Sequence, residues 1–146
     1  MPRIQGKTIL VTGGAGFIGS HLTDRLLAEG AAKVVVVDNF FLGKLENLES
    51  ARRTYGDRLV VIRDDARQFG VMQAVMERER VEVVFNLATL QLKYSFFNPV
   101  DAYQVNVDIM RTLLTLLKMG AFATLIHAST SEAYGTVVYE PMDENH

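Results

Sequence analysis

Apolar residues occur along the chain in short runs that alternate with longer segments of helical spacing. Residues 33–38 contain four consecutive valines, which is typical of a parallel strand covered on both faces. In residues 17–29, apolar side chains recur at the spacing of one helix face. The pattern predicts strands at residues 8–11, 33–38, 59–63, 81–87 and 124–128, and helices at 17–29, 44–55, 68–79 and 99–119. This alternation predicts an α/β fold with a doubly wound parallel sheet of at least five strands.

A glycine-rich turn follows the first strand and opens the first helix. It reads Thr12-Gly13-Gly14-Ala15-Gly16-Phe17-Ile18-Gly19 and contains the G-x-G-x-x-G pattern. Such glycines let the backbone approach a pyrophosphate, and the helix N-terminus directs free N–H groups at the phosphates. Asp38 ends the second strand, where a carboxylate accepts hydrogen bonds from ribose hydroxyls. These features predict a dinucleotide-binding Rossmann fold; the alternative is an α/β turn that binds no nucleotide.

The residues after the second strand bear on the choice between NAD and NADP. Asp38 repels a 2′-phosphate, and the following Asn39-Phe40-Phe41 contains no arginine to bind one. Lys44 is the nearest cation along the chain. We therefore expect NAD rather than NADP as the cofactor.

The composition narrows the range of partners. The 146 residues are enough for one domain, with 49% hydrophobic and 22% charged residues. A net charge of −2 gives no reason to expect nucleic acid or an anionic membrane as partner, and no apolar run reaches the length of a membrane span. The absence of cysteine suits a reducing cytoplasm and excludes thiolate metal sites. No metal site is expected from the histidines either, and His127 is expected to be packed and hydrogen-bonded inside the fifth strand.

Together with the glycine turn, three further segments resemble the extended short-chain dehydrogenase/reductase family, whose members act on nucleotide-activated sugars. They are Asp64-Asp65-Ala66-Arg67, Asn86-Leu87-Ala88-Thr89, and the start of the last helix with Asn98-Pro99, Tyr103 and Asn106-Val107. The resemblance implies that Asp65 binds the adenine amino group and that residues 86–89 lie against the ribose on the nicotinamide side. The expected cofactor-binding residues are Gly13, Gly16, Phe17, Ile18, Gly19, Asp38, Asn39, Asp65, Ala66, Leu87, Ala88, Thr89, Asn106 and Ser129.

The fifth strand runs into Ser129-Thr130-Ser131-Glu132, at the end of the sheet where doubly wound folds bind ligands. In the resembling family, a hydroxyl at the position of Thr130 binds the sugar C4 hydroxyl and assists a tyrosine base as hydride leaves to NAD. The catalytic residues implied here are Thr130, Ser131 and Glu132, a run more similar to GDP-mannose dehydratases and UDP-glucuronate decarboxylases than to plain epimerases. Residues 38–41 also resemble the decarboxylases, whereas residues 89–98 lack their usual sequence. Epimerase, dehydratase and decarboxylase activities therefore all stay open.

The family's tyrosine base is paired with a lysine four residues later, in a YxxxK motif. None of the five tyrosines of this chain has a lysine at that spacing. In the family, the motif comes after the catalytic Ser or Thr, so we expect the motif and the sugar-binding region beyond residue 146. Residues 1–146 are interpreted as the NAD-binding domain at the N-terminal end of a longer enzyme, inactive alone. The alternative is a non-catalytic NAD-binding or NAD-sensing domain.

The helix predicted at residues 99–119 carries a wide apolar stripe at three-and-four spacing. The stripe consists of Val100, Tyr103, Val107, Met110, Leu114 and Leu117. Leu113 and Leu116 broaden it beyond what packing on a sheet requires. In the resembling family this helix contributes to a dimer interface, so we expect a homodimer; the alternative is that the whole stripe is internal core.

Overall fold

The computed structural model describes residues 4–146 and contains a five-stranded sheet in which every strand pair is parallel. The strands are β1 (Thr8–Thr12), β2 (Lys33–Asp38), β3 (Leu59–Arg63), β4 (Val83–Asn86) and β5 (Thr124–His127). The helices are α1 (Phe17–Ala28), α2 (Glu49–Tyr55), α3 (Phe69–Glu79), α4 (Leu92–Ser95) and α5 (Pro99–Lys118), with 3₁₀ turns at Leu45–Leu48, Gly56–Arg58 and Ser131–Tyr134. The strand order β3-β2-β1-β4-β5 reverses at β1, so the predicted doubly wound Rossmann fold is confirmed.

Helices cover both faces of the sheet, and successive residues of each strand enter two separate cores. Leu10, Val35 and Val84 pack with α3 and α5 on one face, whereas Ile9 and Val36 pack with α1 and α2 on the other. The central strands β1 and β2 are buried along almost their whole length. The run of valines in β2 therefore reflects burial on both faces, as the pattern predicts.

Three segments differ from the elements that the pattern predicts. The helix expected at residues 44–55 begins as a 3₁₀ turn and becomes α-helical only from Glu49. The strand expected at residues 81–87 is shorter, because the N–H of Val81 still donates to the carbonyl of Met76 at the end of α3 (3.0 Å). The short helix α4 lies where the pattern predicts no element, since four residues are too few to show a helical period.

The prediction that Leu113 and Leu116 widen an outer stripe of α5 is wrong. Both side chains are fully buried on the sheet beside Ile109, because they form the inner face of the helix. The face that α5 turns away from the sheet instead exposes Val100, Tyr103, Val107 and Leu114. An exposed apolar stripe therefore exists, but it is narrower than expected.

His127 is not packed inside the sheet as expected. It is the last residue of β5, which is an edge strand, and its side chain is exposed. Its Nδ1 atom lies 3.1 Å from Nδ2 of Asn86, so the predicted hydrogen bond is confirmed.

Candidate functional site

The glycine-rich turn connects β1 with α1 at the point where the strand order reverses. Gly13 has a φ of +69°, and a Cβ on this residue would lie 2.8 Å from the backbone nitrogen of Ala88. A Cβ on Gly14 would lie 2.7 Å from the side chain of Val36 in β2, and one on Gly19 would strike the carbonyl oxygen of Gly13. Glycine therefore allows the turn to pack closely between β2, α1 and the residues after β4.

The first turn of α1 directs backbone N–H groups into an open cavity. Among the described residues, the amides of Phe17, Ile18 and Gly19 have no hydrogen-bond partner, as is usual for the first turn of a helix. This turn contains no acidic side chain, and Phe17 and Ile18 are exposed on the cavity wall. The partial positive charge of the helix N-terminus is therefore free to bind an anionic group such as a pyrophosphate.

Asp38 links the glycine turn to the loop after β2. Its carboxylate accepts hydrogen bonds from the N–H groups of Ala15 (2.9 Å) and Phe40 (2.8 Å), and the residue is only 7% exposed. A Cβ on Gly43 would lie 2.8 Å from both carboxylate oxygens, so the loop folds closely over Asp38. A carboxylate accepts about four hydrogen bonds, so the group keeps capacity for the hydroxyls of a ligand.

Strand pairing brings an arginine close to Asp38 that the local sequence does not reveal. Asp38 pairs in register with Arg63 of β3, and the guanidinium carbon of Arg63 lies 5.6 Å from the ring centroid of Phe40. No ion pair joins Arg63 to Asp38 in the described part of the chain. The ring of Phe40 therefore holds a cation beside the acidic strand end through a cation–π contact.

Asp65 and Arg67 form an ion pair after β3. The guanidinium group donates to both carboxylate oxygens, and the shortest contact joins Nη2 to Oδ2 at 2.6 Å. These hydrogen bonds from Arg67 lower the pKa of Asp65, which keeps the carboxylate ionised. Asp65 and the buried Ala66 line the cavity, and the ion pair fixes the position of the carboxylate at the cavity wall.

A row of hydrogen-bonded side chains joins the carboxyl ends of β1, β4 and β5. The hydroxyl of Thr12 donates to Oδ1 of Asn86 (2.6 Å) and accepts from the N–H of Ala88 (3.3 Å). The amide nitrogen of Asn86 contacts His127, and Asn86 is only 2% exposed. These bonds hold the strand ends together and position the predicted residues Leu87, Ala88 and Thr89, all of which line the cavity.

Asn106 of α5 anchors the segment after β4. Its side-chain nitrogen donates to the carbonyl of Leu90 (3.1 Å), and its Oδ1 accepts from the N–H of Leu90 (2.8 Å) and the hydroxyl of Thr89 (3.1 Å). Asn106 lines the cavity as well. Its side chain thus positions Thr89 and Leu90, while its contact with a cofactor stays a prediction.

The segment after β5 carries the residues expected to be catalytic. Ser129, Thr130 and Glu132 line the cavity, whereas Ser131 does not, because residues of a 3₁₀ turn point in different directions. The Oγ1 atom of Thr130 accepts a hydrogen bond from the N–H of Glu132 at 3.3 Å. The hydroxyl proton of Thr130 is therefore available for donation to a ligand.

These groups share one cavity of about 910 Å³ along the carboxyl ends of the strands. Doubly wound sheets bind ligands at this position, and the volume is that of a small-molecule or cofactor site. Every residue expected to bind the cofactor lines it. Sequence reasoning missed further lining residues, because only their proximity to a motif signals a site. They come from the loop after β2, from the segment around α4 and from α5: Phe41, Leu42, Gly43, Leu90, Gln91, Leu92, Ser95, Val105, Ile109 and Met110.

Residues 4–146 contain neither a metal-binding cluster nor a membrane-spanning helix. No group of three or more His, Cys, Asp or Glu side chains there is arranged to hold a metal ion. None of the described helices has the length and apolar character needed to cross a membrane.

The fold and the cavity define the class of protein. A doubly wound sheet with a glycine turn at the reversal point, an acidic end of β2 and a Thr-Ser-Glu segment after β5 is the arrangement of the extended short-chain dehydrogenase/reductase family. A family model described as GDP-mannose 4,6 dehydratase matches residues 10–146. The chain therefore belongs to this family.

Relatives within the family include several enzyme types. UDP-glucuronic acid decarboxylase 2 of Arabidopsis thaliana is 36% identical over 143 residues, which cover 97% of this chain and 30% of the relative. The structure of UDP-glucose-4-epimerase from Stenotrophomonas maltophila, with bound NAD and formylated UDP-arabinopyranose, has a TM-score of 0.87 at 29% identity and covers 94% of this chain and 41% of that chain. A dTDP-glucose 4,6-dehydratase from Bacillus anthracis in complex with NAD has a TM-score of 0.77 at 29% identity. The match covers 90% of this chain and 40% of the dehydratase chain. The chain spans 29% to 38% of the length of these curated relatives.

Proposed function

We propose that residues 1–146 are the NAD-binding Rossmann domain of a longer enzyme that modifies nucleotide-activated sugars. The observation that carries this proposal is that the glycine turn, Asp38 and the Thr130 segment line one cavity. The N-terminus of α1 would bind the pyrophosphate, Asp38 the adenosine ribose and Asp65 the adenine amino group. Relatives solved with NAD bound support this assignment.

The reaction that we propose is transient oxidation at C4 of the sugar, followed by epimerisation, 4,6-dehydration or decarboxylation. Bound NAD would supply the hydride acceptor. Thr130 would orient the C4 hydroxyl, because its own proton is free while its oxygen is held by the N–H of Glu132. Glu132 is exposed in the same cavity and would exchange a proton with the oxidised sugar. A hydroxyl and a carboxylate in the cofactor cavity favour an enzyme over a non-catalytic NAD sensor.

Calorimetric titration with NAD and NADP tests the cofactor assignment. We expect NAD to bind more tightly, because the carboxylate of Asp38 repels a 2′-phosphate. Asp38→Ala should weaken NAD binding and reduce the difference in affinity between NAD and NADP. Asp57→Ala is the matched control, since Asp57 is exposed and lies outside the cavity lining. Equal or tighter binding of NADP, or no binding of NAD, would contradict the proposal.

The substrate class is tested on the full-length protein. A panel of UDP-, GDP- and dTDP-linked hexoses and hexuronic acids is incubated with the protein and NAD, and the products are separated by liquid chromatography and identified by mass spectrometry. A change of sugar mass by loss of water or carbon dioxide identifies dehydration or decarboxylation, and an isomer of equal mass identifies epimerisation. Turnover of none of these sugars contradicts the proposed activity.

We also propose a homodimer in the cytoplasm. Val100, Tyr103, Val107 and Leu114 form an exposed apolar stripe along α5, and two-fold dimers are the commonest soluble oligomers. The cysteine-free composition suits a reducing compartment. Light scattering of the full-length protein is the measurement: Tyr103→Glu should shift a dimer toward monomer, while Arg53→Glu on the exposed side of α2 should not. A wild-type protein that is monomeric at micromolar concentration contradicts the dimer.

A further inference from the structure

Two loops face each other across the glycine turn. β1 lies between β2 and β4 in the sheet, so the loop after β2 and the segment after β4 start two strand spacings apart, or about 10 Å. Phe41 belongs to the first and Tyr94 to the second. Their ring centroids are 5.6 Å apart and their planes meet at 87°, which is an edge-to-face aromatic contact. The two side chains therefore close the gap between the loops above the end of β1.

One hydrogen bond holds the backbone of Phe41, and another holds the ring of Tyr94. The N–H of Phe41 donates to Oδ1 of Asn39 at 3.0 Å, in a tight turn that directly follows the acidic strand end. The hydroxyl of Tyr94 donates to Oδ2 of Asp101 on α5 at 2.8 Å. The turn thus sets the position of Phe41 in the loop, and the bond to Asp101 orients the ring of Tyr94.

Phe41 lies on the wall of the cavity, and Tyr94 lies beside residues that line it. The side chain of Phe41 is 57% exposed. Leu92 and Ser95, the first and last residues of the helix that carries Tyr94, line the same cavity. Neither aromatic residue belongs to a buried core cluster, so the contact is not needed to complete a core.

We infer that Phe41 and Tyr94 form a clasp that closes the cofactor cleft over the middle of a bound dinucleotide. The clasp must separate for the cofactor to enter or leave, and it re-forms once the cofactor lies on the glycine turn. A single edge-to-face pair at the surface is weak enough to open repeatedly on the timescale of loop motions. This inference rests on the proposed binding of NAD.

Stopped-flow kinetics with NADH as a fluorescent probe test the clasp. Association is followed on mixing with the protein, and dissociation on displacement by excess NAD. Phe41→Ala and Tyr94→Ala should each raise both rate constants, by about three- to tenfold from the strength of one aromatic pair, while Kd changes by less than either rate. The double variant should be no faster than the single variants, because both remove the same contact.

Two further variants serve as controls. Phe41→Tyr keeps the ring and should retain wild-type rates. Phe97→Ala removes a highly exposed aromatic side chain from the same segment and should leave both rates unchanged. A rise of the dissociation rate alone would show that the rings only touch the cofactor, and unchanged rates would show that they do not gate it; either result overturns the clasp. Absence of NADH and NAD binding to the wild-type protein would instead overturn the proposed function itself.

Discussion

Replacement of Gly13 by alanine tests how the glycine turn is held in the sheet. The residue has a φ of +69°, in the left-handed region that alanine rarely adopts. The added Cβ would lie 2.8 and 2.9 Å from the backbone nitrogen and Cα of Ala88 and 3.0 Å from the carbonyl carbon of Leu87. These are backbone atoms, and the N–H of Ala88 is bonded to Thr12. They therefore cannot move aside without breaking the hydrogen bonds that join β1 to β4.

The expected loss of stability has two parts. The left-handed backbone costs alanine about 1–2 kcal/mol, and forcing a methyl group into a filled space costs a further 1–3 kcal/mol, roughly 2–5 kcal/mol together. Gly120→Ala separates the two parts, because Gly120 has a φ of +77° but no atom within 4 Å of the added Cβ. It should cost only about 1–2 kcal/mol. Gly70→Ala, in α3 with open space and no positive φ, should be neutral or stabilise by up to about 1 kcal/mol.

Urea unfolding followed by circular dichroism measures all three variants, with stability read from the midpoint and slope. Calorimetric titration with NAD measures binding by the folded protein. Gly13→Ala should lose both stability and NAD binding, whereas Gly120→Ala should lose stability and keep the affinity. If Gly13→Ala loses no more stability than Gly120→Ala, the close packing of the turn against Ala88 contributes nothing.

Two more predictions concern catalysis and pH. In the full-length enzyme, Thr130→Val should lower turnover by a factor on the order of 10²–10⁴ with little change in NAD affinity, and near-normal turnover would remove Thr130 from the catalytic residues. Hydrogen bonds from Lys33 and, to a smaller extent, from Arg78 lower the pKa of Glu79. The ionised carboxylate therefore stabilises the folded protein above the unfolded-state pKa of Glu79. This stabilisation is lost as the pH falls through the lowered folded-state pKa. Urea unfolding should show Glu79→Gln less stable than wild type by about 1 kcal/mol at neutral pH, and the difference should shrink as the pH falls through the lowered folded-state pKa of Glu79; a difference that does not change with pH would refute this.

The order of the elements and the centre of the site can be deduced from local features of the sequence. The valine run of β2 indicates burial on both faces, and the glycines between β1 and α1 indicate a phosphate-binding turn. Asp38 can be predicted as the ribose-binding carboxylate because it ends the next strand. The right-handed crossover rule then implies the parallel sheet. Family resemblance added expected cofactor-binding and catalytic residues after β3, β4 and β5, and all of these expected site residues except Ser131 line the cavity.

The tertiary structure alone decided which distant side chains meet. Phe41 contacts Tyr94 because β1 lies between β2 and β4, and Arg63 stacks on Phe40 because β2 and β3 pair in one register. Leu113 faces the core rather than solvent because α5 is rotated to bury that side on the sheet. Strand register, helix rotation and loop conformation are set by the packing of many residues far apart in the chain. A local pattern shows the period of an element but not which other elements pack against it, so the sequence pattern did not predict these contacts.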